Sequence, residues 1–90
     1  MATHSSAIKR NRQNARKRMI NQVRRTRIRT LTKEILGAVE AGNPEEAREA
    51  LHRAIPVIQR AAARGTIHRN AAFRKVSRLT RRVNAIHSEQ

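Results

Sequence analysis

The sequence contains no cysteine, aspartate, tyrosine or tryptophan, and Phe73 is its single aromatic residue. Without cysteine there is no disulfide, no thiolate zinc ligand and no thiol nucleophile. Without Asp or Tyr, and with no nucleophile motif, P-loop or glycine-rich phosphate cradle, catalysis has little to work with. We read the chain as a non-enzyme that takes no cofactor and no small-molecule substrate. The four histidines, His4, His52, His68 and His87, lack the spacing of metal ligands. No apolar run approaches membrane-spanning length, which points away from a membrane. The basic N-terminus has no hydrophobic core segment and so does not read as a secretory signal. Its Arg, its Ser and its lack of acids are features of an organelle transit peptide, but the basic character runs well past the length of a presequence.

Negative charge is equally scarce. Six acids, all Glu, face 21 Lys and Arg residues, for a formal net charge of +15 and a pI near 12.0 over 90 residues. One small domain of that charge repels itself and favours a polyanion as partner. Most of the cations are Arg, whose planar fork grips phosphate oxygens through two bonds where Lys offers a point charge. Charge also divides the chain. Residues 1–33 carry eleven cations, from Lys9 to Lys33, and no acid; residues 34–49 hold five of the six Glu; Ala50 to Ser88 is again acid-free.

Punctuation marks three helices. Gly42 suits the position just past a helix end, where a left-handed conformation costs glycine nothing. Asn43-Pro44-Glu45-Glu46 reads as an N-cap, a proline at the first helical position and a Glu three residues after the cap. Gly65 closes the second helix, and the third begins near His68 to Asn70. Pro56 falls inside the second helix. The apolar stripe keeps phase across it, which favours a kinked but continuous helix over two short ones.

Periodicity shows which faces pack. Ala47, Leu51, Ala54, Ile55, Ile58, Ala61 and Ala62 share one stripe of the second helix. Ala72, Val76, Leu79, Val83 and Ile86 share one of the third, opposite Arg74, Lys75, Arg78, Arg81 and Arg82. In the first helix Ile28, Leu31, Ile35, Ala38 and Val39 form such a stripe only toward the C-terminus. Before Ile28, the cations Lys9, Arg10, Arg12, Arg16, Lys17, Arg18, Arg24, Arg25 and Arg27 point around the whole axis. The expected fold is all-α: a three-helix bundle of residues 28–88, with a first helix over about residues 7–41, roughly 50 Å long. Its basic part, residues 1–27, projects beyond the bundle.

Glu45, Glu46 and Glu49 are read as stabilising a helix N-terminus, with an i,i+4 pair from Glu49 to Arg53, and not as an acidic site. With one aromatic there is no stacking platform for unpaired bases, and Phe73 is expected to pack at the bundle edge. The remaining chemistry suits phosphate and 2′-OH contacts to helical RNA read by shape. Double-stranded DNA is not excluded by that argument.

Further residues carry a family resemblance. Ser6-Ala7 with Lys9-Arg10, then Arg18, Asn21, Arg24-Arg25, Arg29-Thr30 and Lys33 resemble the bacterial-type small-subunit ribosomal protein S-twenty family. So do Ala41-Gly42, Pro56, Arg60, the turn Gly65…Ile67-His68-Arg69-Asn70, and Ala72, Arg74 and Ser77-Arg78-Leu79, without a gap over nearly the whole chain. The resemblance implies a structural protein that binds 16S ribosomal RNA directly in the body of the small subunit and holds RNA helices together. It implies a monomer within the particle, beside other small-subunit components, in the cytoplasmic or a bacterial-type organellar ribosome. By matched position it implies RNA contact at Ser6, Lys9, Arg10, Arg18, Arg24, Arg25, Arg29, His68, Asn70, Arg74 and Arg78; capping is the other role open to His68 and Asn70. Arg12, Arg16, Lys17 and Arg27 complete the candidate set through their charge. Ser5, Ile8, Glu34, Ala71 and Val76 stand where the family commonly has a base and are not assigned.

Two other classes compete. A histone-like DNA-binding protein shares the charge but usually has dimerisation surfaces or intercalating wedges, and none is evident. A membrane-active amphipathic protein needs a broad apolar face beside its charge, which the most cationic segment lacks. Helices without tertiary packing are marginal and like charges repel. An isolated peptide of residues 1–27 is therefore expected to fray in dilute buffer by circular dichroism; a stable, salt-independent helix would contradict this reading.

Overall fold

The computed structural model describes the backbone of residues 2–88 and the side chains of residues 6–86. The side chains of His4, Ser5 and His87 lie outside the described residues. Among the described residues there are three helices: α1, Ala2–Glu40; α2, Pro44–Ala63; and α3, Arg69–Ser88. Helix α1 starts five residues before the expected residue 7, because no Gly or Pro precedes that point to stop it. Its 39 residues span about 58 Å at 1.5 Å per residue. The other two have 20 residues each, so α1 outruns its partners and the molecule measures 69 × 21 × 14 Å.

Both turns are built by the glycines that mark them. At the first, Gly42 takes φ +69; its N–H donates to Val39 C=O and the Asn43 N–H to Ala38 C=O, at 3.1 and 3.0 Å. At the second, Gly65 takes φ +78, with Gly65 N–H to Ala62 C=O and Thr66 N–H to Ala61 C=O at 3.1 and 2.9 Å. The same paired bonds thus satisfy the last free carbonyls of both helices. Asn43 then caps α2: its Oδ1 accepts from the Glu46 N–H at 3.3 Å, while its Nδ2 donates to Glu46 Oε2 at 3.0 Å.

Helix α2 runs unbroken through Pro56. The proline is exposed, and Arg60 Nε donates to its carbonyl at 3.2 Å. On the opposite side Ala54 and Ile58 are fully buried, so the apolar stripe holds the helix together across the missing N–H. Arg53 does not pair with Glu49. Its Nη2 lies 3.9 Å from Glu34 Oε2 on α1, since packing brings that carboxylate alongside; exposed ion pairs of this kind contribute little.

The core consists of Ile28, Ile35 and Ala38 from α1, Ala47, Ala50, Leu51, Ala54, Ile58 and Ala61 from α2, and Ala72, Leu79 and Val83 from α3. Leu31, Val39, Ile55, Ala62, Val76 and Ile86, expected on the same stripes, are half-buried around it. Ile35 and Ile58 are its largest fully buried side chains, each contributing about 1.5–3 kcal/mol relative to exposure. Phe73 departs from expectation. It is 75% exposed, because it sits one residue, about 100° of helix, off the Ala72–Val76–Leu79 stripe.

Two glycine substitutions are expected to act with opposite sign. Gly65→Ala forces a Cβ into the left-handed region and lowers the unfolding free energy in urea by about 1 kcal/mol. Gly37 lies within α1, where an added Cβ meets nothing within 4 Å, so Gly37→Ala raises stability by about 0.8–1 kcal/mol through helix propensity.

Candidate nucleic-acid interface

Helix α1 carries its cations through three environments. Lys9, Arg10, Arg12, Arg16, Lys17 and Arg18, together with Ser6, are all exposed, on a stretch where every described side chain from Ser6 to Ile20 is exposed. Seen along the axis these cations spread over about two thirds of the circumference, so no single plane of the helix is the charged one.

The second environment is where α1 meets the turn between α2 and α3. Thr66 is the buried polar residue of this region, 3% exposed. Its hydroxyl donates to Asn21 Oδ1 at 3.0 Å. Arg24 Nη1 lies 3.5 Å from both Asn21 Oδ1 and Thr66 Oγ1, and Arg25 Nη2 donates to the Thr66 carbonyl at 3.1 Å. Arg24 is accordingly half-buried. Polar contact with the bundle therefore reaches back to Asn21, two turns before apolar packing begins at Ile28. Arg24 and Arg25 each do two things: they present charge, and they brace the emerging helix.

The third environment is a pair of adjoining grooves between α1 and α2. Arg24, Arg27, Arg60 and Arg64 line one, of about 80 Å³, with Val57 and Ala61. Lys17, Ile20, Asn21, Arg24 and Arg64 line the other, of about 370 Å³. Five cations converge there, and among the described residues no carboxylate lines either groove. An anion from outside relieves their mutual repulsion. Arg60 and Arg64 were not among the sequence-derived candidates. They are four residues apart, Arg60 in the last turn of α2 and Arg64 at its C-cap, a visible spacing, but only the packing shows that they face Arg24 and Arg27.

On α3, Arg74, Lys75, Arg78 and Arg82 line a groove of about 580 Å³ against Thr32 and Leu36 of α1. Ala71 contributes to its wall, and Arg29 is exposed on α1. At the start of α3 the capping is done by His68: its Nδ1 accepts from the Asn70 N–H at 3.1 Å, and its carbonyl accepts from Ala72 N–H at 3.0 Å. The Asn70 side chain is exposed. His68 and Asn70 therefore lie together at the start of α3. Among the unassigned positions, Ile8 is exposed, Glu34 meets Arg53 and Val76 is half-buried.

Among the described residues no helix is long and apolar enough to cross a membrane, and no group of three or more His, Cys, Asp or Glu side chains is placed to hold a metal ion.

Comparison with known proteins agrees in kind with this arrangement. The family described as ribosomal protein S20 matches residues 2–84. The small ribosomal subunit protein bS20 of Geobacter metallireducens is 52% identical over 86 residues, covering 96% of this chain and 99% of its own. That of Syntrophus aciditrophicus is 49% identical over 85 residues, covering 94% and 96%. That of Geobacter sulfurreducens is 50% identical over 86 residues, covering 96% and 99%. A match along nearly the full length, on a three-helix chain whose described residues bring arginines together without carboxylates, settles its kinship: this chain belongs to the ribosomal protein S20 family.

Proposed function

We propose that the chain is a structural constituent of the small ribosomal subunit, in the cytoplasmic or a bacterial-type organellar ribosome, and that it binds 16S ribosomal RNA directly. Residues 1–27 form a basic extension of a bundle comprising residues 28–88, and the extension enters between RNA helices. The contacts are made by Ser6, Lys9, Arg10, Arg12, Arg16, Lys17, Arg18, Arg24, Arg25, Arg27, Arg29, His68, Asn70, Arg74 and Arg78, with the packing adding Arg60 and Arg64. The relatives named as small-subunit proteins support the assignment. The observation that carries it is the convergence of Lys17, Arg24, Arg27, Arg60 and Arg64 on grooves that, among the described residues, no carboxylate lines. Phosphates of closely packed RNA neutralise such a cluster, and counterions released from the RNA drive the association.

The role of this protein is cohesion. A cationic rod contacted on all sides offsets repulsion between RNA helices that would otherwise stay apart, while the bundle anchors one end of the rod. Contacts to backbone phosphate position the protein, and the folded shape of the RNA supplies the selectivity.

Co-sedimentation through a sucrose gradient tests this directly. The wild-type chain is expected to travel with the small subunit. Arg24 and Arg25 also brace α1, so the cleanest variant neutralises Arg16, Arg27 and Arg29, which are exposed and whose loss leaves the Thr66 bonds intact. Changing these three to Gln should release the protein at moderate salt and lower the slope of log K against log salt by about 2–3, with the bundle's melting unchanged. Neutralising Arg24, Arg25 and Arg29 should release it too. Unaltered association of either variant would overturn the site assignment, and equal affinity for duplex DNA and structured ribosomal RNA would favour the DNA-binding reading.

A further inference from the structure

Among the described residues, four of the five large hydrophobic side chains that stand exposed lie on the most cationic part of α1: Ile8, Met19, Ile20 and Val23, at 44%, 67%, 42% and 64% exposure. Ile20 borders the α1–α2 groove; neither the bundle nor the phosphate contacts proposed above use the other three. Met19 and Val23 are neighbours along one face, and with Gln22 and Thr26 they line a shallow depression of about 260 Å³. Helical spacing continues the strip to Thr30. The buried residues of the helix, Ile28 and Ile35, lie on the other side of the axis, so the strip points away from the bundle.

The strip has cationic borders. Arg16 and Arg27 are eleven residues apart, three turns, and form a row on one side. Arg18 and Arg29, also eleven apart, form a row on the other. Met19 and Thr30 delimit the strip over the same interval. The helix therefore presents three parallel rows over about 16 Å: Arg, then a mixed row of Met, Val and Thr, then Arg again.

We infer that this face of α1 seats in the shallow minor groove of an A-form RNA helix, with Met19 and Val23 against the riboses. The inference rests on the ribosomal RNA reading above and deepens it. An α-helix with its side chains is about 10–12 Å across, and the deep, narrow major groove of A-form RNA does not admit it. The minor groove is wide and shallow, and it displays riboses and 2′-hydroxyls between two phosphate backbones. The three rows match that profile. The apolar centre meets the carbon-rich ribose edges, and Gln22, Thr26 and Thr30 offer hydrogen-bonding groups at the height of the 2′-hydroxyls. The Thr30 hydroxyl, which donates to the Thr26 carbonyl at 3.0 Å, keeps its acceptor lone pairs. The outer arginines reach the two backbones. A lipid surface would need a broader apolar face, and a protein partner would need acids along both arginine rows.

The test uses the whole chain and protein-free 16S ribosomal RNA. Met19→Gln with Val23→Gln removes the apolar centre while keeping helix propensity, since Gln is at least as favourable as Val in a helix. Affinity is expected to fall about tenfold with the salt slope unchanged, whereas neutralising Arg16, Arg27 and Arg29 changes the slope. Because the chain has no cysteine, Met19→Cys supplies a single thiol for a tethered iron chelate. Its hydroxyl radicals should cut both strands of one RNA helix, in pairs offset across the minor groove. Undiminished affinity of the double variant, or cuts confined to unpaired loops, would overturn the inference and leave ribosomal RNA binding standing. The same holds if the loss appears only with assembled subunits, which assigns the strip to a protein neighbour, or if wild type but not the variant floats with anionic liposomes. Failure of the wild-type chain to bind the RNA would instead strike at the functional reading itself.

Discussion

Like-charge repulsion is the constraint around which this molecule is arranged. A formal charge of +15 is spread over 90 residues, and the core opposing it is small. Half of its twelve apolar members, among the described residues, are alanines: Ala38, Ala47, Ala50, Ala54, Ala61 and Ala72. Small side chains at helix contacts let the axes approach closely, so a modest apolar area is gathered into a continuous seam with α2 in the middle. The same economy leaves no room to cover the cations. They are placed on the outside of every helix and, in α1, along a segment that has left the bundle altogether.

Where α1 leaves the bundle, the restraint changes from apolar to polar. Ile28 is the first core residue of the helix, yet Asn21, Arg24 and Arg25 already bond to Thr66. Buried polar groups cost free energy unless their bonds are made, and here the hydroxyl and the carbonyl of Thr66 both have partners. This junction sets the direction in which the extension departs, and it places Arg24 beside Arg64 at the mouth of the α1–α2 grooves. Structure and charge are coupled through the same two arginines, so their removal has both electrostatic and mechanical consequences.

A shared logic follows for recognition. The exposed arginines of α1 confer affinity for any dense array of phosphates and by themselves discriminate little. On the function proposed above, selectivity comes from several features being met at once: the converging cluster on α1 and α2, the groove against α3, and the mixed apolar strip on the far side of α1. A folded RNA with surfaces on several sides of the rod, as in that proposal, meets all of them at once.

Much of this was legible in the linear sequence because it depends on neighbours within a turn or two. Gly42, Asn43-Pro44 and Gly65 mark helix ends through local backbone conformation, and the apolar stripes mark packed faces through the 3.6-residue period. The excess of Arg over Glu favoured a polyanion as partner before any packing was known. Tertiary structure decided what depends on residues brought together from afar. It turned Arg53 from Glu49 to Glu34, left Phe73 outside the core, gave the capping role to His68, and set Arg60 and Arg64 opposite Arg24 and Arg27. Periodicity assigns a residue to a face of its own helix. The identity of the surface across from that face is a property of how the helices pack, and no spacing along one helix contains it.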